Sequence, residues 1–245
     1  MKTFGKLTWT ELKMQLREPL SAFFTLAFPV MLLVIFGSIY GNAPDDFLGG
    51  YGQVDLSIPG YLGMIVGTIG MLGLPIALAN YRDLGILRRY RATPLPATTL
   101  LWSQVAVNVI MTLLGAALLV LVGALFYDLR APTGTLAIVP ALLLGGLSFM
   151  AVGFVMAGVM PTARTAQAVG MALFYPMLFL SGAAMPRQLM PEGVQRVAEF
   201  LPLTHVVKLL EDLWFDGVWN LTSLAVVVGM LLLCLLLAQR TFRWE

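Results

Sequence analysis

Long uncharged runs alternate with short charged ones along this chain. Six runs contain no Asp, Glu, Lys, Arg or His: Leu20–Tyr40, Ser57–Asn80, Leu100–Phe126, Thr135–Met160, Ala166–Met185 and Val218–Ala238. An α-helix needs about 20 residues to cross a hydrocarbon core about 30 Å thick, and every run is that long. Runs so continuously apolar predict spanning helices rather than a barrel, whose strands alternate in polarity. The fifth run is interrupted by Pro176, and Pro29, Pro75 and Pro140 each remove a helical hydrogen bond, so kinks are expected there.

Two polar stretches also carry helical patterns. In residues 1–19, Lys2, Lys6, Lys13 and Arg17 project within about a 60° stripe at 100° per residue, beside an arc of Trp9, Leu12 and Leu16. This predicts a helix lying in the membrane interface, apolar groups toward the acyl boundary and basic groups toward phosphates. In residues 186–217, Met190, Val194, Val197 and Leu201 recur at helical spacing, and Pro202 breaks the run. Thr204 is placed to cap a second short helix, His205–Phe215. The expected fold is an all-α integral membrane protein with one membrane domain over residues 1–245: six spanning helices, the interfacial helix, and two short outer helices before the last span.

Composition sharpens this reading. Charged residues make up 11% of the chain and hydrophobic residues 59%, against about 25% charged in an ordinary soluble domain. With both termini cytoplasmic, the inner side holds Lys2, Lys6, Lys13, Arg17, Arg82, Arg88, Arg89, Arg91, Arg164, Arg240 and Arg243, leaving Arg130, Arg187, Arg196 and Lys208 outside. That division follows the positive-inside rule. The net charge of +2 hides this polarity, and no nucleic-acid partner is expected. The first run is longer than a signal h-region and lacks a small-residue cleavage site after it. The lone Cys234 leaves no partner for an intrachain disulfide.

The sequence lacks the residues that most membrane chemistries need. The runs hold no ionisable group of the kind that couples a secondary carrier to a proton or sodium gradient. No P-loop pattern occurs, no His/Cys/carboxylate cluster suggests a metal, and Ser148 sits in no nucleophile elbow. No catalytic, cofactor-binding or metal-binding residue is therefore assigned, and the chain is not expected to be an enzyme. Polar residues within the runs, among them Thr68, Gln104, Asn108, Ser148, Gln167, Tyr175 and Ser181, and the glycines Gly60, Gly63, Gly67, Gly70 and Gly73, are read as helix packing or as pathway lining.

One basic island breaks the pattern. Arg82-Asp83-Leu84-Gly85 followed by Leu87-Arg88-Arg89-Tyr90-Arg91-Ala92-Thr93-Pro94-Leu95 resembles the first cytoplasmic loop of type-2 ATP-binding-cassette exporter permeases. Arg17-Glu18-Pro19, Pro29, Phe36-Gly37, Pro59-Gly60, Ser181-Gly182, Met185-Pro186 and Leu201-Pro202-Leu203-Thr204-His205 are similar to further patterns of that family, in order and almost end to end. The chain departs from the family in having Asp83 where glutamate is commoner and Tyr90 where leucine is usual.

The resemblance implies a half-transporter that works as a dimer with a second permease copy or a paralogue, in a bacterial plasma (inner) membrane, above a separately encoded ATPase that binds ATP and Mg. It implies that residues 81–99 form a coupling loop, which nominates Arg82, Asp83, Gly85, Leu87, Arg88, Arg89, Arg91, Thr93 and Pro94 for ATPase contact. By analogy the second and fifth spans line the pathway, nominating Thr68, Phe174, Tyr175 and Phe179. An uncharged pathway suits a hydrophobic or amphipathic cargo, drug-like or lipid-linked, as in multidrug efflux. The alternatives are a non-transporting scaffold whose basic loop binds lipid, and a gradient-driven carrier or channel.

Overall fold

The computed structural model describes residues 2–86, 97–185, 187 and 190–241. Nine helices of seven residues or more are found among them. α1 is Lys2–Arg17. α2 joins Pro19–Ala22, a π-helical turn Phe23–Ala27 and Phe28–Tyr40. α3, Gln53–Asp83, likewise contains a π-turn, Ile69–Gly73. Then come α4 (Ala97–Tyr127), α5 (Thr135–Val159), α6 (Ala163–Leu180), α7 (Glu192–Ala198), α8 (Pro202–Phe215) and α9 (Leu221–Thr241).

Among the described residues, five helical stretches are long and apolar enough to cross a membrane: Phe23–Tyr40, Gln53–Asp83, Thr98–Tyr127, Thr135–Val159 and Leu221–Arg240. The fifth expected run differs. Its helix, α6, starts three residues early and stops at Leu180, because the chain turns at Ser181–Gly182, where Gly182 holds φ +91°. That turn packs on Gly60 of α3. α8 then fills the space beyond. Its residues Leu203, Val206, Leu210, Leu213 and Trp214 are buried, and Leu203 reaches Gly67, near the middle of α3. The short outer helix predicted after Pro202 is thus an inserted part of the bundle. Its N-terminus differs from expectation as well. Leu201 is the cap residue and Pro202 the first helical one, while Thr204 donates its hydroxyl to Ala198 O at 2.6 Å.

α3 is the hub of the bundle, buried without interruption from Val54 to Met71. Gly60, Gly63, Gly67 and Gly70 resolve in favour of packing within the chain, whereas Gly73 has no such close neighbour. A Cβ on Gly63 would meet Val207 of α8 at 2.7 Å, on Gly67 the ring of Phe174 of α6 at 2.5 Å, and on Gly70 the backbone of Phe149 of α5 at 2.5 Å. Small residues let helix axes approach where no hydrophobic effect drives them together. The prolines act unequally. Pro29 and Pro75 each sit just after a π-turn, whereas Pro140 and Pro176 lie inside unbroken helices.

Far from α1, one carboxylate ties three helices together. Asp55, 1% exposed, accepts from Asn42 Nδ2 (3.1 Å), from Gly52 N–H (3.4 Å) and from Arg130 N–H (3.1 Å). Asn42 and the Arg130 N–H share Oδ1, while Oδ2 takes the Gly52 N–H and lies 3.7 Å from Arg130 Nε. Asn42 also donates to Tyr127 O at 2.9 Å, so the α2–α3 and α4–α5 connections share one network.

Candidate functional site: a crevice between α2, α3 and α6

α3 and α6 run antiparallel and are pinned at three levels. Phe174 lies under Gly67, Gly170 lies against the Met71 carbonyl, and Ala163 N–H donates to Asp83 Oδ2 at 3.0 Å. Pro75, four residues on from Met71, has no N–H to offer that carbonyl.

Beside this seam opens a cavity of about 420 Å³ lined by α2, α3 and α6. Its polarity is graded. Glu18, Asn80 and Arg164 stand at the end nearest α1, with Gln167 next to them. Leu72, Ile76 and Met171 form the walls, and Thr25, Thr68 and Tyr175 line the end farther from α1, Thr25 and Thr68 buried and Tyr175 exposed. From Asn80 to Thr68 is twelve residues of α3, about 18 Å at 1.5 Å per residue. Both π-turns contribute lining residues, Phe24 and Thr25 from one and Leu72 and Gly73 from the other. π-turns inside α-helices frequently mark functional sites. A second groove, of about 600 Å³ between α4, α5 and α9, is lined almost wholly by apolar side chains, including Phe154, Leu231 and Leu235.

The nominated pathway residues divide. Thr68 and Tyr175 line the crevice, whereas Phe174 is 3% exposed in the α3–α6 seam and Phe179, 63% exposed, lies outside the cavity. Glu18, Asn80 and Arg164 were not nominated. Their only signal in the sequence is that polar residues bound the runs, which equally describes topology markers.

The nominated coupling residues divide too. Leu87, Arg88, Arg89, Arg91, Thr93 and Pro94 lie outside the described residues. Gly85 is the αL residue that ends α3, at φ +66°, its N–H on Arg82 O at 2.9 Å. A Cβ there would meet nothing within 4 Å, so within the chain its role is conformational. Arg82 and Asp83 bond to neighbouring helices. Arg82 Nη1 donates to Ala157 O at 2.9 Å and Nη2 to Met160 O, at the end of α5, while Asp83 holds the first N–H of α6.

α1 docks on the bundle through its face opposite the basic stripe. Glu11, 5% exposed, accepts from Tyr81 Oη and from Gln104 Nε2 (2.9 Å), and Gln15 Nε2 reaches Asn108 Oδ1 at 3.4 Å. Desolvation raises the Glu11 pKa above its ordinary value, partly offset by these two bonds. Of the predicted apolar arc, Leu12 is buried in the bundle while Trp9 and Leu16 stay exposed. Lys13 Nζ sits 5.0 Å above the Trp9 ring.

Among the described residues, a helical bundle with five membrane-length helices and a crevice between α2, α3 and α6 is the architecture of a multi-pass membrane protein. The sequence matches the ABC-2 type transporter family over residues 2–215, and the chain belongs to that family. It is 23% identical to the transport permease YvfS of Bacillus subtilis over 242 residues, covering 98% of this chain and 96% of the relative. It is 24% identical over 226 residues to the daunorubicin resistance ABC transporter permease protein DrrB1 of Streptomyces coeruleorubidus, with 89% and 76% covered. A shorter stretch of 71 residues is 35% identical to nodulation protein J of Rhizobium leguminosarum, covering 29% and 27%.

Proposed function

We propose that this permease is the transmembrane subunit of an ATP-driven exporter and that the α2–α3–α6 crevice admits a hydrophobic or amphipathic cargo. The observation that carries this is the graded lining, charged at the end nearest α1 and apolar with hydroxyl-bearing side chains farther along. Such a gradient suits a molecule with a polar head and an apolar body. The drug-resistance relative favours a drug-like cargo.

In this reading α6 completes a sixth crossing together with the inserted α8, both termini are cytoplasmic, and the protein resides in a bacterial plasma membrane. Two permease subunits, identical or paralogous, sit above a separate ATPase. That partner binds ATP and Mg, and the segment through residues 87–96 docks on it.

The test is to purify the tagged permease with whatever ATPase accompanies it, reconstitute it in vesicles, and follow ATP-dependent movement of a fluorescent amphipathic drug. Ala77→Trp, which narrows the crevice, should depress transport while the complex stays intact. Leu231→Trp, in the α4–α5–α9 groove, should not. Equal transport by both variants would remove the crevice from the pathway, and a permease that carries no ATPase would remove the exporter reading.

A further inference from the structure

The last turn of α3 ends in Tyr81, Arg82 and Asp83, and each side chain bonds a different part of the bundle. Successive residues of an α-helix point about 100° apart, so three in a row sweep about 200° of the circumference. Because α3 is central, that sweep covers its neighbours at the α1 end. Tyr81 Oη donates to Glu11 of α1, whose same oxygen takes Gln104 Nε2 of α4 at 2.9 Å. Arg82 caps α5, and Asp83 caps α6.

Each bond answers a local need. Ala157 O would normally be served by the residue four places on, which is Pro161 and has no N–H. Arg82 supplies the missing donor, and its cation lies at the negative end of the α5 dipole. Ala163 is the first residue of α6, whose N–H has no intrahelical partner, and a carboxylate is favoured at that positive end. Gly85 then ends the helix, and the chain runs directly into the basic segment.

We infer that Tyr81-Arg82-Asp83 is an internal transmission junction. It distributes displacement of the segment after α3 to α1, α4, α5 and α6, and through α6 to the crevice. Arg82 and Asp83 are positioning residues that act on this chain's own helices rather than on the ATPase surface. The inference rests on the exporter reading for the source of the displacement, but its geometry stands apart from that reading.

The experiment uses the permease with its ATPase in vesicles, comparing Arg82→Gln, Arg82→Lys and Asp83→Asn with wild type. A second measurement reads spin-label distances between Leu84→Cys and Ala168→Cys, both exposed positions, in a Cys234→Ala background. The ATPase should co-purify with every variant. Transport per ATP hydrolysed should fall about tenfold for Arg82→Gln and less for Arg82→Lys, within the 5–150-fold range of ordinary coupling energies. The Leu84–Ala168 distance distribution should broaden in Arg82→Gln and Asp83→Asn. Loss of the ATPase with an unbroadened distribution would overturn the inference by making these residues a docking surface. Unchanged coupling would overturn it as well. If the wild-type permease carries no ATPase, the exporter reading fails and the distance measurement alone decides the junction. Should Arg82→Gln fail to fold, Asp83→Asn, which alters one exposed bond, carries the same test.

Discussion

Replacing Gly170 by alanine puts the α3–α6 seam to a quantitative test. A Cβ at Gly170 would stand 2.6 Å from Met71 O and 2.9 Å from Leu72 Cδ2, and ordinary contact begins at 3.4 Å. The oxygen is backbone and cannot swing aside, so the helices must separate by about 0.8 Å, the difference between 3.4 and 2.6 Å. Overpacking of this kind costs about 1–3 kcal/mol, and a lost Cα–H···O contact adds about 0.5–1 kcal/mol. A loss of about 2–3 kcal/mol corresponds to a fall in Tm of about 5–10 °C for a chain of this size. Two other glycines calibrate the result. At Gly67 the obstructing atom is the edge of the Phe174 ring, which can rotate, so Gly67→Ala should cost less. At Gly229 nothing lies within 4 Å, and alanine should leave Tm at or above wild type. Thermal unfolding in one detergent, followed by retention of the monodisperse peak, measures all three. A Gly170→Ala protein that melts with wild type, or a Gly67→Ala protein as damaged as Gly170→Ala, would refute the close backbone approach at Met71.

Glu11 offers a pH test. Its raised pKa means that the folded protein holds this proton more tightly than the unfolded chain, so stability falls as pH rises from the ordinary value of 4.5 through the raised one. Glu11→Gln keeps an acceptor for Tyr81 and Gln104 and should flatten that part of the Tm–pH curve. Glu11→Leu removes the acceptor that Tyr81 and Gln104 share and should lose about 1–3 kcal/mol, seen as a lower Tm at neutral pH. Asp55→Ala leaves Asn42, Gly52 and Arg130 without their shared acceptor, and a loss of about 2–4 kcal/mol is expected from those unmet groups, read from the same melts. Glu199 has a lowered pKa, chiefly through the hydrogen bond and charge of Lys208 at 2.8 Å. Lys208→Met should move the carboxyl's NMR titration back toward its ordinary value.

The positions of the helices could be read from the sequence because lipid imposes a single rule on every residue of a run. The glycines of α3 could be identified but not assigned, since the sequence shows where a close approach is allowed and not which helix makes it. Glu11 was hidden for a physical reason. Periodicity treats a carboxylate as solvent-facing, and only Tyr81 and Gln104, 70 and 93 residues away, make its burial tolerable. Asp55 is hidden in the same way, its burial made tolerable by Asn42, Gly52 and Arg130. The early end of α6 could not be inferred from hydropathy, because Ser181–Met185 is as uncharged as the helix before it. What turns the chain there is Gly182 at positive φ against Gly60. The pathway nominations took the second and fifth spans as units, yet one helix carries both Tyr175 in the crevice and Phe174 in the seam beside it, one residue apart.

The two ends of the bundle are joined by different kinds of contact, and that difference bears on how an exporter built this way would move. Away from α1, the carboxylate of Asp55, the Gly60–Gly182 turn and the buried face of α8 close the structure with short bonds and dry packing. Such contacts resist separation along their whole length, since interiors at this density have no slack. At the α1 end the buried side chains Leu12, Leu78, Ala79 and Leu100 are supplemented by directional bonds from Tyr81, Arg82, Asp83 and Gln104, with the crevice open beside them. A few directional bonds can exchange partners at far lower cost than a packed seam can open. In an exporter of this kind the α1 end, where α3 leads toward the basic segment, would move first, and displacement there would pivot α3 and α6 about their packed far ends. Under that pivot the crevice widens or narrows first at Glu18, Asn80 and Arg164 and last at Thr68 and Tyr175, an order suited to passing an amphipathic molecule inward from its polar head.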